Sequence, residues 1–451
     1  MNRVQGWRRS VPAALLVAAA LSAGCESSSP ADPGTPPPGA EAFDAEVAIA
    51  WLRLGMDLTR AEGMFPPSAA RAYGYVGVTA WEAVAPGVPG GRTLAGRLNA
   101  LGPMPAPSAD VHWPAVANAA LAEISRRLYP SPGSRSAIDA LEAGFRERFA
   151  GEVRRSVLER SAEHGRSVAA GVWDWSLGDG YGLIANCPYV PTDEPSRWRP
   201  TPPGFAGPVE ACWGQMRPLL LSDPGQCAAA PHPPYSEEPG SEFHGHAMEV
   251  YETVRNATAE QRTIALFWAD LAGESGTPAG HSLSITAQAL ERTDATLDRA
   301  AEAFARVGIG ESDAFIAAWK SKYDFNLLRP VTYIRDRIDP AWEPVLETPP
   351  FPAYPSGHSN DAGAASTILT ALFGDGFAFT DHTNDARGFA PRAFGSFFEA
   401  AEESAISRLY GGIHYRFDIE LGLEQGQCVG RAVNALELRA PVLASSARRG
   451  D

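Results

Sequence analysis

The feature that most constrains this chain of 451 residues is the spacing of its apolar side chains. They recur every three or four positions, as in an amphipathic α-helix, and strand-like alternation is hard to find. The helical period runs through residues 43–56, 115–129, 137–149, 157–175, 261–272, 281–306, 312–328, 356–373, 394–409 and 419–438. We therefore predict an all-α fold built from helical bundles.

Residues 181–240 break this pattern and are rich in proline and glycine. A loop of this size commonly carries function or covers a site, so we predict a long ordered loop lying over the helices. We predict a boundary between two helical regions at residue 250, shortly after this loop. Residues 43–250 are expected to form an N-terminal helical region that includes the loop, and residues 251–445 a second helical core.

The first 24 residues are typical of an export signal. Arginines and no acids precede an apolar run at 11–23, and small residues then lead to Cys25. This ending is similar to a bacterial lipobox, in which the cysteine becomes the lipidated first residue. The alternative is a plain signal peptide cleaved nearby. We expect an exported protein of the bacterial periplasm or cell surface, lipid-anchored through Cys25.

Residues 25–42 are rich in serine, proline and glycine, which predicts a disordered tether between the lipid and the folded part. No later run reaches the roughly 18 apolar residues that a membrane span needs. Contact with a membrane is therefore expected only through the N-terminal anchor.

The overall charge restricts the partners of this chain. Acidic residues outnumber basic ones by 53 to 38, giving a formal net charge of −15. A surface of that sign repels phosphate backbones and anionic lipids, so we expect no nucleic-acid partner. Any site for an anion must be a local cluster of cations.

Four cysteines follow the signal: Cys187, Cys212, Cys227 and Cys428. An even number in an exported protein favours disulfides, and pairing Cys212 with Cys227 would close the shortest loop. Three complete pairings remain open, and so do free buried thiols. The spacings fit no zinc-binding pattern.

The segment from Lys322 to Pro330 carries two cations seven residues apart. Seven helical residues turn through about 700°, so Lys322 and Arg329 are predicted to share one helix face. Pro330 is predicted to end that helix. Taken alone, such a pair is most often solvated surface.

A second motif, Pro355-Ser356-Gly357-His358, leads directly into a helical run of small residues. Ser356 suits an N-cap, and Gly357 lets the backbone approach a ligand. The free N–H groups and partial positive charge of a helix start favour an anion there, with His358 at its edge. The plain alternative is a capped helix with a surface histidine.

The third motif contains Arg408, His414 and Asp418. Two glycines separate one helix from the next and are expected to bring Arg408 near His414. On a helix, Asp418 could accept a hydrogen bond from one ring nitrogen of His414 and leave the other as a free lone pair. Glycines every four residues from Gly422 to Gly430 predict close packing of this helix. Such a His–Asp pair alone is more often structural.

Three further histidines, His244, His246 and His281, raise the question of a second metal site. A His-x-His pair without a nearby third ligand is weak evidence. We interpret these residues as structural, with His281 a candidate for the pocket wall.

In this order, Lys-x6-Arg-Pro, Pro-Ser-Gly-His and Ser-Arg-x5-His-x3-Asp resemble the signature of the vanadium haloperoxidase and type 2 phosphatidic acid phosphatase superfamily. All three motifs match without a substitution. The likeness extends more loosely from Trp198 to the last helix and is similar to the exported bacterial haloperoxidase-like branch. It implies a helical bundle, with residues 251–445 as the catalytic core, and a pocket that holds vanadate or phosphate.

The resemblance also implies how the oxyanion is bound. Lys322, Arg329 and Arg408 would neutralise its equatorial oxygens, assisted by the Ser356 hydroxyl and the Gly357 N–H. Three cations and a helix start are what a compact oxyanion requires.

Three residues are implied to carry the chemistry. His414 Nε2 would bind vanadium, or attack phosphorus in a phosphatase. His358 would act as acid–base at the opposite apical oxygen, and Asp418 would orient His414.

Two aromatic residues favour the peroxidase interpretation. Trp319 and Phe351 resemble in position the halide-site aromatics of fungal chloroperoxidases. Apolar walls suit a weakly hydrated halide. The alternative is that both are core aromatics.

The sequence therefore predicts a vanadate-dependent haloperoxidase that oxidises halide with hydrogen peroxide to hypohalous acid, which then reaches a small organic acceptor. The second hypothesis is a periplasmic acid phosphatase that acts through a phosphohistidine at His414. The third is a non-catalytic oxyanion-binding lipoprotein, although mere binding would need neither His358 nor His414. Halide preference, organic substrate and oligomeric state stay open.

Overall fold

The computed structural model describes residues 38–184 and 187–440, and these are helical with one short strand pair. The helices are α1 (Glu46–Ala61), α2 (Pro66–Val84), α3 (Trp113–Leu128), α4 (Pro132–Ala150), α5 (Arg155–Ser176), α6 (Tyr181–Ile184), α7 (Glu242–Arg255), α8 (Ala259–Phe267), α9 (Thr277–Arg292), α10 (Leu297–Phe325), α11 (Pro330–Arg337), α12 (Gly357–Phe373), α13 (Phe397–Tyr410) and α14 (Arg416–Asn434). Strands β1 (Phe379–Asp381) and β2 (Arg392–Phe394) pair antiparallel between α12 and α13. The predicted all-α class is confirmed.

The long helix α10 lies at the centre of the fold and packs against α2, α9, α12 and α14. Most of its residues are buried, and alanine and glycine are frequent among them. Small side chains let neighbouring backbones approach closely, so several helices meet around one axis. The pocket described below lies where α10, α12 and the start of α14 meet.

Helix α14 packs tightly onto α12, as the recurring glycines predicted. A Cβ at Gly426 would overlap the Asn360 carbonyl oxygen, and one at Gly422 would lie 2.9 Å from the Ser356 carbonyl oxygen. Because only glycine fits these positions, the spacing brings α14 against the first turns of α12.

Several predicted helix boundaries are wrong, including the predicted gap at 307–311, which lies inside α10. The period across 281–306 suggested one helix, but the chain breaks between α9 and α10, where Asp294 has φ of 46°. The predicted helix at 261–272 ends at Phe267, since Asp270 has φ of 45°. A left-handed residue ends a helix whatever the apolar pattern around it.

Helices α2 and α7 were not predicted. Every residue of α2 after the first is buried, so the helix has no polar face and leaves no amphipathic period to detect. Helix α7 follows the proline-rich segment directly and begins at an N-cap, Ser241, whose side chain accepts from the His244 N–H.

Two disulfides fix the segment that follows α6. Cys187 bonds Cys212, and Cys227 bonds Cys428 on α14. The shortest-loop pairing of Cys212 with Cys227 is therefore not the one formed. Closeness in sequence did not determine which cysteines pair, because the segment runs across the helices and brings Cys227 next to Cys428 on α14.

The N-terminal predictions fall mostly beyond the structure. The export signal, Cys25 and most of the tether lie outside the described residues. Residues 40–42, which we assigned to the tether, form a short 3-10 turn in which Ala40 is fully buried. The division at residue 250 stays a prediction. Among the described residues, no helix has the length and apolarity to cross a membrane.

Candidate active site

The three motifs converge on one pocket with a free volume of about 250 Å³. The predicted residues that line it are Trp319, Phe351, Gly357, His358, Arg408 and His414. Lys322, Arg329, Ser356 and Asp418 lie directly behind this wall, in contact with its residues or backbone. Segments far apart in sequence thus contribute to a single site.

Lys322 and Arg329 reach the pocket from different elements, so their predicted placement on one helix is wrong. Helix α10 ends at Phe325, and Asn326 follows in the left-handed conformation with φ of 51°. Arg329 is the N-cap of α11, and Pro330 begins that helix instead of ending one. Proline is favoured at a first helical position because the missing N–H would have had no partner there.

Lys322 is fully buried, and its ammonium donates to three backbone carbonyls, of Pro352, Ala353 and Pro355. Its Nζ also lies 5.1 Å from the centre of the Phe351 ring. Burial lowers the pKa of Lys322 well below its usual value, and the nearby Arg329 guanidinium lowers it further. An anion in the pocket would oppose both effects.

Arg329 is also fully buried and orients His414. Its Nε donates to the Phe351 carbonyl at 2.7 Å, and its Nη1 donates to the Ile413 carbonyl at 2.9 Å and to His414 Nε2 at 3.1 Å. Its Nη2 has no partner among the described residues. Burial lowers the pKa of Arg329 to about 9. One donor is therefore free for a ligand.

His414 carries its lone pair at Nε2, where it accepts from Arg329 Nη1 and would have to be released to bind a ligand. Its Nδ1 donates to Asp418 Oδ2 at 2.9 Å, because Nε2 already accepts from Arg329. Burial, followed by the charges of Arg329, Lys322 and Arg408, lowers the pKa of His414 well below its usual value. The imidazole is thus neutral, as a metal ligand or nucleophile requires.

The His414–Asp418 pair forms at a helix start and not along a helix, which corrects the prediction. His414 precedes α14, and Asp418 is its third residue, where the carboxylate also accepts from the Tyr415 N–H at 3.0 Å. Burial raises the pKa of Asp418 to about 7, with the Tyr415 N–H, Lys322 and Arg329 opposing the rise. The capping position fixes Asp418, and Asp418 fixes the ring.

The N-terminus of α12 closes the pocket floor. Ser356 is its N-cap, as predicted, and accepts from the Ser359 N–H. A Cβ at Gly357 would lie 3.4 Å from the Trp319 ring, so any larger residue would enter the space above the helix start. The first turn of α12 has N–H groups without partners inside the helix, and its residues Gly357 and His358 line the pocket.

His358 stands at the edge of the pocket beside Arg408. Its Nε2 accepts from Arg408 Nη1 at 3.3 Å. Burial lowers the pKa of His358 well below its usual value, and the positive charge of Arg408 adds to this, while a hydrogen bond to the Ala269 carbonyl opposes it. A bound anion beside the ring would raise that pKa again.

The aromatic wall contacts the cations directly. Trp319 and Phe351 are both buried, with ring centres 5.0 Å apart, and the Arg329 guanidinium lies 4.8 Å from the Phe351 ring centre. The Trp319 indole donates to the Val209 carbonyl at 3.3 Å. Their assignment as a halide site stays a prediction.

Sequence analysis missed part of the pocket wall. Phe65 and Pro66 enter from the start of α2, and Ala269 and Asp270 from the break after α8. Neither α2 nor the break produced a signal in the apolar pattern. His281 contacts Asp270 instead of lining this pocket.

His244 and His246 each contact an aromatic residue. His244 lies 3.3 Å from the Tyr333 hydroxyl, and His246 packs edge-on against Phe417. Among the described residues, no group of three or more His, Cys, Asp or Glu side chains is arranged to hold a metal ion.

The buried charges of the pocket indicate which kind of ligand it could bind. Lys322, Arg329 and Arg408 are buried around one point, with the Asp418 carboxylate on the far side of His414. Burial lowers the pKa of Arg408 to about 10, the same direction as for the other two cations. Together with the unused Arg329 Nη2 and the space at Gly357, this donor set fits a compact tetrahedral oxyanion such as vanadate or phosphate.

Comparison with known proteins gives concordant matches. The family model of the VCPO second helical-bundle domain matches residues 336–440. The vanadium chloroperoxidase of Curvularia inaequalis is 30% identical over a stretch that spans 26% of this chain and only 28% of that relative.

Two solved structures resemble the whole fold. A bacterial vanadium-dependent iodoperoxidase is 35% identical with a TM-score of 0.84, and the match covers 88% of this chain and 98% of the iodoperoxidase. A bacterial vanadium-dependent chloroperoxidase in its holo form has a TM-score of 0.64 at 16% identity, covering 82% and 92% of the two chains. At that identity the second match supports the fold alone.

Proposed function

Because the chain belongs to the vanadium-dependent haloperoxidase family, we propose that it oxidises halide ions with hydrogen peroxide to hypohalous acid, using vanadate held in the pocket. The observation that carries this proposal is the position of His414, whose Nδ1 is held by Asp418 and whose Nε2 accepts from Arg329, near two further buried cations, Lys322 and Arg408. A small organic acceptor then reacts with the oxidised halogen. The 35% identical relative is an iodoperoxidase, so iodide is the first halide to test.

The residues that would hold vanadate follow from the donor set. His414 Nε2 would be the direct ligand once Arg329 Nη1 releases it, and the unused Nη2 of Arg329 would be available to donate to the oxyanion. Lys322 and Arg408 supply charge, and the Gly357 N–H and Ser356 hydroxyl lie at the start of α12. When bound, vanadate supplies the Lewis acid that activates hydrogen peroxide for attack by halide.

The remaining steps fall to the side chains of this chain. Oxidation of halide by peroxide consumes one proton, and His358 is placed at the pocket edge to deliver it to the departing oxygen. Arg408 stabilises negative charge beside His358. Trp319 and Phe351 keep one side of the pocket apolar, so a halide there is weakly hydrated.

The proposal is tested on the purified protein, freed of metal and divided into aliquots with and without orthovanadate. Each aliquot is assayed for peroxide-dependent oxidation of iodide and bromide and for hydrolysis of an aryl phosphate. Halide oxidation that requires vanadate is the expected result. Fast hydrolysis inhibited by vanadate, with no oxidation of any halide, would overturn the proposal.

A substitution ties the activity to the pocket. His414→Ala is expected to abolish halide oxidation, because the direct ligand is lost. His382→Ala is the matched control, since that exposed histidine also pairs with an aspartate, at 2.8 Å. Full activity in His414→Ala would place the site elsewhere.

A phosphatase is the second candidate, supported by the same histidine. A neutral imidazole hydrogen-bonded to a carboxylate is the arrangement of a nucleophile, and phosphate has nearly the shape of vanadate. The vanadate-free aliquot tests this activity. Failure of both assays would favour the third hypothesis, an oxyanion-binding protein.

A further inference from the structure

His281 lies in a buried acidic cluster that the proposed reaction does not use. Its Nδ1 is 2.9 Å from Asp270 Oδ2 and its Nε2 is 2.7 Å from Asp381 Oδ2, and all three side chains are at most 2% exposed. Since both ring nitrogens face carboxylates, both must donate, so the ring is an imidazolium. The two carboxylates raise its pKa to about 10 against the effect of burial.

The cluster holds one end of the segment Trp268–Asp270, which we call the carbonyl strap. Asp270 has a left-handed backbone, with φ of 45°, and its carboxylate is fixed by His281. The Trp268 ring stacks on the His281 ring, with centres 4.3 Å apart and planes at 17°. A strained backbone of this kind persists only where its surroundings fix it.

The carbonyl strap contacts both catalytic groups at the pocket edge. Arg408 Nη2 donates to the carbonyl of Trp268 at 2.5 Å and to that of Ala265 at 3.3 Å. The next carbonyl, of Ala269, accepts from the His358 ring. Two carbonyls of the strap, those of Trp268 and Ala269, thus help to position the guanidinium and the acid–base histidine.

The other end of the cluster is anchored outside the pocket. Asp381 lies on β1, where its second oxygen accepts from the Thr383 N–H at 2.9 Å and from the Thr383 hydroxyl at 2.6 Å. Gln288 of α9 donates weakly to the same oxygen, at 3.4 Å. The anchoring carboxylate is therefore held by its own turn and by a neighbouring helix.

We propose that His281, anchored by Asp381, is a positioning residue that holds the carbonyl strap and, through it, Arg408 and His358. A neutral ring would leave one buried carboxylate without a donor, so the doubly protonated form is needed to bridge the two. Loss of the bridge would free Asp270 and let the strap relax, which would loosen the Trp268 carbonyl that Arg408 uses and the Ala269 carbonyl that His358 uses. The expected change in kcat rests on the proposed function. The expected change in oxyanion affinity does not.

The test compares His281→Gln and Asp381→Asn with the unaltered protein. Glutamine cannot donate to both carboxylates, and asparagine has the size of aspartate but no charge. The exposed neighbour pair supplies the control, His382→Gln, because His382 bonds Asp385 at the protein surface. Folding is checked by circular dichroism and by Tm.

Two readouts separate a positioning role from a structural one. Calorimetric titration of the metal-free protein with orthovanadate is expected to give about tenfold weaker binding in His281→Gln, because Arg408 is no longer fixed. In the loaded enzyme, kcat is expected to fall at least tenfold, a larger change than that of the KM for halide, since the proposed halide wall is formed by Trp319 and Phe351. Asp381→Asn is expected to give a smaller change in the same direction.

Unchanged orthovanadate affinity and unchanged kcat in a folded His281→Gln protein would overturn the proposal. If His281→Gln does not fold, Asp381→Asn decides by the same criteria, and failure of both to fold would make the cluster a folding element and also overturn it. If the unaltered protein binds orthovanadate but oxidises no halide, the proposed function fails. The titration still decides the role of His281.

Discussion

Arg329 is fully buried, and the donor at its Nη2 has no partner among the described residues. The other hydrogen bonds donated by Lys322, Arg329 and Arg408 go to backbone carbonyls or to histidine and serine side chains. These acceptors carry no negative charge, so they position the three cations without neutralising them. Removing such groups from water costs free energy unless a counter-charge is supplied. An oxyanion would supply it.

The first prediction concerns ligand-linked stability. Orthovanadate or phosphate at about 100 times its Kd is expected to stabilise the metal-free protein by about 2.7 kcal/mol, because only the folded state presents the pocket. Differential scanning calorimetry measures this as a rise in Tm. Arg329→Met is expected to lose most of the rise, whereas Arg155→Met, which changes an exposed arginine, keeps it. An equal rise in both variants would contradict the role of Arg329.

The second prediction concerns the tautomer of His414. In Asp418→Asn the amide still accepts from the Tyr415 N–H, but it no longer draws the ring proton to Nδ1. We expect the vanadate affinity or kcat to fall roughly 10- to 100-fold, the usual cost of losing a group that orients a metal-bound histidine. Asp385→Asn, beside His382, is the exposed control. Activity within a factor of two of the unaltered protein would rule out this role.

At the scale of elements, the contacts between α10, α12 and α14 carry both packing and charge. Glu311 on α10 and Asp361 on α12 are buried together, and Ser282 on α9 donates to Asp361 at 3.1 Å. Burial raises the pKa of Asp361 to about 6, and burial and Asp361 raise that of Glu311 well above its usual value. The pair therefore holds a proton that the unfolded chain would release.

This pair predicts a pH-dependent stability. The folded-state pKa of Asp361 lies above the unfolded value of about 4. Protonation of this group therefore contributes fully to the free energy of unfolding below pH 4, and that contribution is lost as the pH rises through about 6. In Glu311→Gln the amide cannot ionise, so the loss of stability between pH 5 and 8 should be smaller than in the unaltered protein. Chemical denaturation at several pH values measures this. A profile parallel to that of the exposed control Glu424→Gln would refute it.

The glycines of α14 allow a direct test of helix packing. Gly426→Ala places a Cβ on the Asn360 carbonyl oxygen and should destabilise the protein by about 1–3 kcal/mol, since α12 must move. Gly245→Ala on α7 meets nothing within 4 Å and should stabilise it by up to about 1 kcal/mol through helix propensity. Equal Tm shifts in the two variants would show that α14 does not need this close approach.

The sequence predicted the amphipathic helices and the Ser356 cap because these depend on local patterns. It failed where several elements meet. Helix α2 is buried all round and has no period, and the position of Arg329 depends on Asn326, whose left-handed backbone nothing in the motif indicated. The carbonyl strap acts through main-chain oxygens, which carry no residue-type signal. Motifs thus identified side chains, while the backbone around them required the structure.

At the scale of the whole molecule, the Cys227–Cys428 disulfide joins residues 201 positions apart, and the chain between them includes every predicted pocket residue. The Cys187–Cys212 disulfide closes a segment of only 25 positions. A cross-link restricts the unfolded chain more when the loop it closes is longer.

This difference predicts unequal costs of removal. Replacing Cys227 and Cys428 by serine should destabilise the protein by up to about 5 kcal/mol, against up to about 3–4 kcal/mol for the Cys187 and Cys212 pair. Activity at 25 °C should persist in both, since no cysteine lines the pocket. Tm values and activity of the two double variants check this. A larger Tm loss from the shorter loop would contradict the argument.

The unpaired cations of the pocket also make its occupancy depend on which tetrahedral anions are present in solution. A cradle of fixed positive charge and backbone N–H groups recognises the size and charge of a tetrahedral ion and has little means to tell phosphorus from vanadium. Abundant phosphate is then expected to compete for the pocket, so under the proposed function the activity would follow the ratio of vanadate to phosphate and not the vanadate concentration alone. Under the proposed function, scarcity of phosphate would increase halide oxidation with no change in the amount of protein.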